Sequence, residues 1–208
     1  MFIVLDGPDG SGKSTLAKCL SDRLTKKGQR TVYTKEPTCD SEAGRTIRHI
    51  LQGGVIDDIY GFSDLFVVDR HEHLNSFIQP HLASGDWVVC DRYKYSALAY
   101  QQAQGVDVEY LIESNKSCLV PDIILLLIPS SAQFLLRRIT QRGNTPEIFE
   151  REEFLESIIR YYKKLPTYFP EENFHYLDAT LSIENNLCQI EKFLRTVHKN
   201  FYAKYKSF

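Results

Sequence analysis

Nine residues near the amino terminus form the most informative pattern in this sequence. Residues 7–15 (Gly-Pro-Asp-Gly-Ser-Gly-Lys-Ser-Thr) match G-x-x-x-x-G-K-[ST], the pattern of a phosphate-binding loop, or P-loop. Glycines let backbone N–H groups close around phosphate oxygens, and the following helix adds partial positive charge. The lysine can reach terminal phosphates, and the next hydroxyl can ligate Mg²⁺. The pattern predicts a phosphate site formed by Gly7, Pro8, Asp9, Gly10, Ser11, Gly12, Lys13, Ser14 and Thr15.

The segments on either side of this loop have the periodicities that the motif requires. Residues 2–5 form an apolar run, which indicates a buried strand. After the lysine, apolar side chains recur at helical spacing at Leu16, Cys19, Leu20 and Leu24. Because strand, loop and helix follow in the order of a P-loop, a chance glycine-rich turn is the weaker interpretation.

The rest of the chain predicts an α/β fold. Strand-like runs occur at 2–5, 31–34, 87–90, 123–128 and 174–177, with helical patterns between them. This alternation predicts a three-layer P-loop NTPase fold, in which a five-stranded parallel sheet carries helices on both faces. A chain of 208 residues suits one such domain, so we expect residues 1–208 to form a single domain. Ligands should bind beyond the carboxyl ends of the strands.

Composition argues against several classes of protein. The net charge of −2 and the pI of about 6.3 disfavour a nucleic-acid partner. The five cysteines contain no C-x-x-C pair, so neither a zinc site nor a disulfide framework is indicated. The first predicted strand leaves no room for a targeting peptide, and the longest apolar run, 123–128, is too short to cross a bilayer. We expect a soluble cytoplasmic protein with no membrane partner.

A P-loop alone does not separate kinases from GTPases or motor ATPases. The guanine-specifying sequence N-K-x-D is absent, since residues 115–118 are Asn-Lys-Ser-Cys. Instead, Asp91 and Arg92 follow the apolar strand at 87–90, which places both at the carboxyl edge of the sheet. Asp91 can hold a magnesium-bound water, and Arg92 can bridge two phosphates. The alternative is an ordinary ion pair at the end of a strand.

Other residues indicate an acceptor that itself carries a phosphate. Arg48 lies on a predicted helix over 43–51, and Arg70 follows Phe66 by four residues on another helix. Phe66 and Arg70 can form a platform and a donor for a base, although a lone Phe is commonly core and an arginine is commonly solvated. A phosphomonoester is largely ionised at neutral pH, so its phosphorylation needs positive charge and water exclusion rather than a general base.

The least regular segment, about 141–150, is predicted to be a mobile flap. Gly143 and Pro146 interrupt it, between helical patterns over 130–140 and 151–165. Arg138 and Arg142 lie at its entrance, where they are either functional or part of a solvated helix face.

Several motifs, in order and at consistent spacing, resemble the thymidylate kinase family over nearly the whole chain. Besides the P-loop, they occupy residues 35–38, 47–48, 65–73, 91–101 and 121–122, and the arginine-bearing flap follows. The resemblance implies ATP-dependent phosphorylation of dTMP to dTDP for dTTP biosynthesis, with Mg²⁺ as the cofactor. It also implies a homodimer formed through the helix that contains Phe66.

The resemblance assigns roles to residues at the family's motif positions. Lys13 would hold the ATP phosphates and Arg92 would clamp the acceptor phosphate. The metal is expected at Ser14 and Asp91, from the chemistry of the P-loop and of the strand end described above. Tyr100 would crowd the sugar's 2′ position and disfavour ribonucleotides. In the dTMP site, Asp9 would approach the sugar hydroxyl, Phe66 would stack on thymine and Gln101 would face the base. The full set for that site is Asp9, Glu36, Arg48, Phe66, Arg70, Arg92, Ser96, Tyr100 and Gln101.

The family places its catalytic arginine either in the P-loop or in the flap. Here Gly10 occupies the loop position, so Arg138 and Arg142 join Lys13 and Arg92 as the predicted catalytic residues. Ala97 stands where many bacterial relatives carry a polar residue that helps to recognise the base. Base recognition is therefore expected to depend more on Gln101 and Arg70.

Two alternatives to dTMP phosphorylation stay open at this point. The first is a kinase for another nucleoside, nucleotide or small metabolite; Phe66 with Arg70 favours a mononucleotide. The second is a nucleotide-dependent switch or binding module without phosphoryl transfer. The flap arginines and the missing N-K-x-D argue against that second alternative.

Overall fold

A five-stranded sheet lies at the centre of the computed structural model, which describes residues 1–141 and 152–197. Its strands run in the order β2-β3-β1-β4-β5, and every neighbouring pair is parallel. They are β1 (Phe2–Asp6), β2 (Thr31–Lys35), β3 (Trp87–Asp91), β4 (Ile123–Ile128) and β5 (Phe174–Asp178). The five strands coincide with the strand-like runs of the sequence, so the predicted parallel α/β fold is confirmed.

Helices connect the strands and cover the sheet. They are α1 (Lys13–Lys26), α2 (Glu42–Leu51), α3 (Ile59–His73), α4 (Gln79–Ala83), α5 (Lys94–Ala103), α6 (Val108–Ser114), α7 (Ala132–Thr140), α8 (Glu152–Tyr168) and α9 (Ile183–Val197). A π-helical turn, Leu74–Ile78, joins α3 to α4. The predicted flap falls outside the described residues except for Gln141, and so do Arg142, Gly143 and Pro146.

The two faces of the sheet bury separate apolar clusters. Side chains alternate along β1, so Phe2 and Val4 face one layer while Ile3 and Leu5 face the other. The first layer contains residues of α5 and α8 such as Leu98 and Leu165. The second contains residues of α1 and α9, among them Leu16, Leu20, Leu187 and Ile190. Strands covered on both faces explain the continuous apolar runs from which the fold was predicted.

The order of the strands brings the turns after β1 and β3 together. Leu5 pairs with Asp91 in the register of the two strands, so the segments that follow them leave the sheet side by side. The turn after β1 is the P-loop, and the turn after β3 contains Arg92. Among the described residues, no helix combines the length and apolarity needed to cross a bilayer.

Candidate active site

The P-loop forms the turn between β1 and α1. Gly7 has φ 151°, and a Cβ atom there would lie 2.5 Å from the carbonyl oxygen of Leu127 on β4, so a side chain is excluded. Gly12, at φ 95°, precedes the first turn of α1, which carries no acidic residue and no side-chain cap. The N–H groups of that turn are therefore available to an anion.

Lys13 is buried against the loop instead of extending into solvent. Its Nζ lies 3.2 Å from Oδ1 of Asp9 and 3.5 Å from the carbonyl oxygen of Pro8. Asp9 thus neutralises the ammonium group. A phosphate that enters the loop must compete with this carboxylate for the Lys13 charge.

Arg92 connects the turn after β3 to the P-loop. Its Nη2 lies 2.5 Å from Oδ1 of Asp9, and its Nη1 donates to the Ser96 hydroxyl at 2.7 Å. The backbone of Arg92 is left-handed, with φ 72°, which is uncommon for a residue with a side chain. Arg92 therefore forms an ion pair, as the alternative interpretation predicted. Its partner, however, is Asp9 of the P-loop and not the adjacent Asp91.

Tyr100 holds Asp9 from the opposite side. Its hydroxyl accepts a hydrogen bond from the backbone N–H of Asp9 at 2.9 Å and donates to Oδ2 of Asp9 at 2.7 Å. Burial alone would raise the pKa of Asp9, but Arg92 and Lys13 outweigh it and hold that pKa well below its ordinary value of 3.8. Asp9 is therefore a carboxylate at neutral pH, with its orientation fixed by three side chains.

Asp6, at the end of β1, is a positioning residue that the sequence analysis missed. Its Oδ1 accepts hydrogen bonds from Gly7 N at 2.8 Å, Ser96 Oγ at 2.6 Å and Tyr162 Oη at 2.7 Å. Its Oδ2 accepts from the backbone N–H groups of Tyr93 at 3.1 Å and Ser96 at 3.0 Å. Burial raises the pKa of Asp6, although Arg92 and these hydrogen bonds oppose it. One carboxylate thereby fixes the P-loop, α5 and α8 to each other.

Asp91 provides an oxygen that suits a metal ion. Its Oδ2 accepts a hydrogen bond from the Tyr33 hydroxyl at 3.3 Å, whereas its buried Oδ1 has no partner among the described residues. Ser14 is exposed and lines the same cavity as Asp91. Carboxylate and hydroxyl oxygens are ligands that Mg²⁺ accepts, so these two residues fit the predicted magnesium ion.

A cavity of about 240 Å³ extends from the P-loop towards α2 and α3. Its wall includes Lys13 and Ser14 of the P-loop, together with the apolar side chains Phe62, Phe66 and Ala97. Eight of the nine residues predicted for the dTMP site line it, namely Asp9, Glu36, Arg48, Phe66, Arg92, Ser96, Tyr100 and Gln101. The structure therefore brings together residues from five separate stretches of the sequence.

Arg48 and Phe66 occupy this cavity in well-defined positions. The guanidinium of Arg48 donates through Nε to the carbonyl oxygen of Thr38 at 3.1 Å and also contacts the carbonyl oxygen of Pro37. The Phe66 ring packs edge-on against Phe62, with ring centroids 5.2 Å apart. Both side chains are thus held by the protein before any ligand binds.

Arg70 differs from the other predicted residues because it does not line the cavity. It is 1% exposed, and its Nε donates to Oε2 of Glu36 at 2.8 Å while its Nη1 donates to Oδ1 of Asn115 at 2.6 Å. Arg70 lies behind Glu36, which does reach the cavity. In this geometry Arg70 acts on the site through Glu36.

Glu36, His73 and Cys90 form a buried cluster whose ligand atoms lie within 4.8 Å of one another. Hydrogen bonds already engage the Glu36 carboxylate, and they also engage His73, whose Nδ1 is 3.1 Å from Glu36 and whose Nε2 is 2.6 Å from Thr34 Oγ1. Burial raises the pKa of the Cys90 thiol well above its ordinary value, which keeps it protonated. The cluster is therefore a packed hydrogen-bonded group that supports Arg70.

Arg138 is the predicted flap arginine that falls within the described residues. It lies on α7, and its Nη1 donates to the carbonyl oxygen of Ser11 at 3.3 Å. Its Nη2 would be 3.3 Å from a Cβ at position 12, so the guanidinium packs directly on the P-loop. A positive charge from α7 therefore reaches the P-loop.

Sequence analysis missed three functional candidates, Asp6, Tyr162 and Gln104. Asp6 offered a signal, because an acidic residue at the end of a buried strand needs several hydrogen-bond donors. Tyr162 gave none, since tyrosine is common on the apolar face of a helix. Gln104 also lines the cavity, one turn beyond Gln101 on the same side of α5.

The fold and this site together define a P-loop kinase whose acceptor cavity is joined to the phosphate-binding loop. Comparison with known proteins specifies the family: the model described as thymidylate kinase matches residues 5–190. A probable thymidylate kinase of Pyrococcus horikoshii is 43% identical over 190 residues, which cover 88% of this chain and 90% of the relative. A thymidylate kinase of Brachyspira hyodysenteriae is 31% identical over 199 residues, which cover 96% of this chain and 94% of the relative.

The chain belongs to the thymidylate kinase family, as its motifs predicted. It is therefore an enzyme, a kinase that acts on nucleotides.

Proposed function

We propose that the protein transfers the γ-phosphoryl group of ATP to the 5′-phosphate of dTMP, which yields ADP and dTDP. The observation that supports this most strongly is the continuity of the cavity. Lys13 and Ser14 of the P-loop line the same space as Phe66, Arg48 and Gln101, so a donor and an acceptor nucleotide can meet in it.

The chemical step needs no general base. An oxygen of the acceptor phosphate attacks the γ-phosphorus as the bond to the β–γ bridging oxygen breaks, and the electron pair leaves with ADP. The acceptor phosphate is largely ionised at neutral pH, so no proton has to be removed. The enzyme must instead neutralise the approaching negative charges and exclude water.

Three cations of the described chain can supply that neutralisation. Arg92 faces the cavity beside Asp9, where it can hold the acceptor phosphate. Lys13 is in place to bind the donor's terminal phosphates, and Arg138 approaches the P-loop from α7. Arg142 is proposed to act from the flap, as predicted from the sequence.

A magnesium ion would be held by Ser14 and Asp91, the two oxygen donors of the cavity wall described above. When bound, it neutralises charge on the donor phosphates and orients them.

Recognition of the acceptor is proposed to involve an aromatic platform and a steric limit. Phe66 presents its ring to the cavity for stacking on the base. The ring of Tyr100, fixed by Asp9, limits the space available at the sugar's 2′ position.

We also propose that the enzyme acts as a homodimer in the cytoplasm. The proposal of a contact through α3 rests on the resemblance to the family, in which the helix containing Phe66 is the usual contact element. All five cysteines are free thiols, which suits a reducing compartment.

The experiment is a substrate panel in which ADP release is followed with Mg-ATP and dTMP, dUMP, CMP, AMP or thymidine. We expect the highest kcat/KM with dTMP and no turnover with thymidine, which lacks the acceptor phosphate. The Lys13→Ala variant serves as the inactive control. A preference for AMP or CMP would overturn the assignment of the acceptor, and turnover of thymidine would overturn the role of its phosphate.

A further inference from the structure

Two glutamines lie at the end of α5, beside the acceptor cavity. Gln101 and Gln104 are three residues apart, so they lie on the same side of the helix, and both line the cavity wall. Of these two glutamines, only Gln101 was predicted from the sequence to contact the base. Gln104 has so far no role.

The carboxamide of Gln104 is buried without a hydrogen-bond partner. Neither its Nε2 nor its Oε1 finds one among the described residues, and the same holds for Oε1 of Gln101. A buried polar atom left unpaired costs about 1–3 kcal/mol, so three such atoms beside one cavity need a reason. A ligand that pairs with them supplies one.

The neighbouring Gln102, whose side chain does not line the cavity, has hydrogen-bond partners for both polar atoms of its carboxamide. Its Nε2 donates to the carbonyl oxygen of Leu98 at 2.8 Å, and its Oε1 accepts from the Tyr168 hydroxyl at 3.2 Å. The missing partners at 101 and 104 are thus particular to the cavity-facing positions. These unpaired atoms indicate where the polar edge of a ligand would bind.

The side chains around the two glutamines indicate which kind of ligand group suits this part of the cavity. Phe62, Phe66 and Ala97 give this part of the cavity an apolar wall suited to a flat ring, and Ala97 offers no hydrogen bond. A carboxamide has a donor and an acceptor side by side. It can pair with an adjacent acceptor and donor on a base, and in the proposed substrate these are the C=O and N–H of the imide edge of a pyrimidine-2,4-dione.

We propose that Gln104 is a specificity-determining residue that, with Gln101, hydrogen-bonds the imide edge of the acceptor base. This inference rests on the proposed function and adds to it a residue that selects the base. Gln104 contributes to binding in the ground state and the transition state alike, because the base does not change during phosphoryl transfer.

The test compares Gln104→Leu with Gln102→Leu as a matched control on the same helix. Gln104→Leu should raise the KM for dTMP by about tenfold, the contribution expected of one neutral hydrogen bond, while kcat and the KM for ATP stay near the wild-type values. Its thermal midpoint without ligand should equal or exceed that of the wild type, since the orphaned polar atoms are removed. Gln102→Leu should lower the midpoint and leave the KM for dTMP unchanged.

A substrate analogue identifies the edge that is bound. Methylation of N3 removes the imide N–H of dTMP, so the wild type should discriminate strongly against 3-methyl-dTMP, and Gln104→Leu should discriminate less. An unchanged KM for dTMP in Gln104→Leu, or unchanged discrimination, would overturn the role of Gln104 alone. Failure of the wild type to phosphorylate dTMP in the same assay would overturn the proposed function, and this inference with it.

Discussion

The hydroxyl oxygen of Tyr162 lies 2.7 Å from Oδ1 of Asp6. This contact joins α8, the helix that follows residues 142–151, to the strand that leads into the P-loop. Asp6 in turn accepts a hydrogen bond from Ser96, which accepts one from Arg92. A residue of α8 thereby influences the orientation of the arginine proposed to hold the acceptor phosphate.

We predict that Tyr162→Phe lowers kcat several-fold and destabilises the fold by about 1–3 kcal/mol, because Asp6 loses a buried donor while the ring is retained. Tyr168→Phe is the control, since it removes the hydroxyl that donates to Gln102, away from Asp6. Urea unfolding and steady-state kinetics on both variants separate the effects. Wild-type kcat in Tyr162→Phe would show that the contact serves stability alone.

We predict that Lys13→Ala lowers kcat by a factor on the order of 10² or more, because a preorganised charge at the transferring phosphate is lost. Lys18→Ala, on the exposed side of the same helix, should keep the wild-type rate. Turnover of dTMP under saturating Mg-ATP is the measurement. Near-normal turnover in Lys13→Ala would contradict the assignment of this lysine.

We predict that Tyr100→Ala reduces the preference for dTMP over its ribose counterpart, since removal of the ring opens space at the 2′ position. Tyr100→Phe keeps the ring but loses the hydroxyl contacts with Asp9, so it should keep the preference. The ratio of the two kcat/KM values decides between steric exclusion and packing. An unchanged ratio in Tyr100→Ala would make Tyr100 a packing residue.

We predict that Arg138→Ala and Arg142→Ala lower kcat with little change in the KM for dTMP, because positive charge that neutralises the transferring phosphoryl group acts on the transition state. Arg137→Ala is the control for Arg138, since Arg137 is exposed on the same helix. The kinetic constants of the three single variants test this. If both variants were fully active, the catalytic charge would have to come from elsewhere, with Arg92 as the next candidate.

We predict that Asp9 contributes stability at neutral pH that is lost in acid. Because Arg92 and Lys13 depress the pKa of Asp9 below 3.8 in the folded state, the folded protein binds fewer protons than the unfolded chain in that range. Its contribution is therefore complete above the unfolded pKa and disappears as the pH falls. The difference in free energy of unfolding between the wild type and Asp9→Asn should shrink between about pH 6 and about pH 3. Urea unfolding at intervals of pH measures it, and a constant difference would contradict this account.

The sequence predicted those parts of the structure that depend on local patterns. The three central strands, β1, β3 and β4, are apolar runs because both faces of the sheet are covered there, and the P-loop has its own signature. The positions of Asp91 and Arg92 followed from a general property of parallel sheets, that ligands bind beyond the carboxyl ends of the strands. Most residues of the cavity could be predicted for these reasons or from the family's motifs.

The remaining features depend on contacts between distant segments, which spacing does not specify. Arg70 was expected in the cavity because helical spacing places it on the face of Phe66. Spacing cannot show that Glu36 pairs with Arg70 and covers it. Gln101 and Gln104 share a face as well, but only the packed structure shows that this face meets a cavity. Within the described part of the chain, it leaves Oε1 of Gln101 and both polar atoms of the Gln104 side chain unpaired.

The hydrogen bonds at Asp6 have a consequence for the order of folding. They join residues 6, 96 and 162, so the site is complete only after segments more than half the chain apart have come together. Contacts of such long sequence separation form late, because the intervening chain must first lose its freedom. During synthesis, the P-loop is made before α8, and it lacks the Tyr162 hydroxyl until α8 has docked. An incompletely folded chain is therefore expected to be inactive, even when its nucleotide-binding motif has already been made.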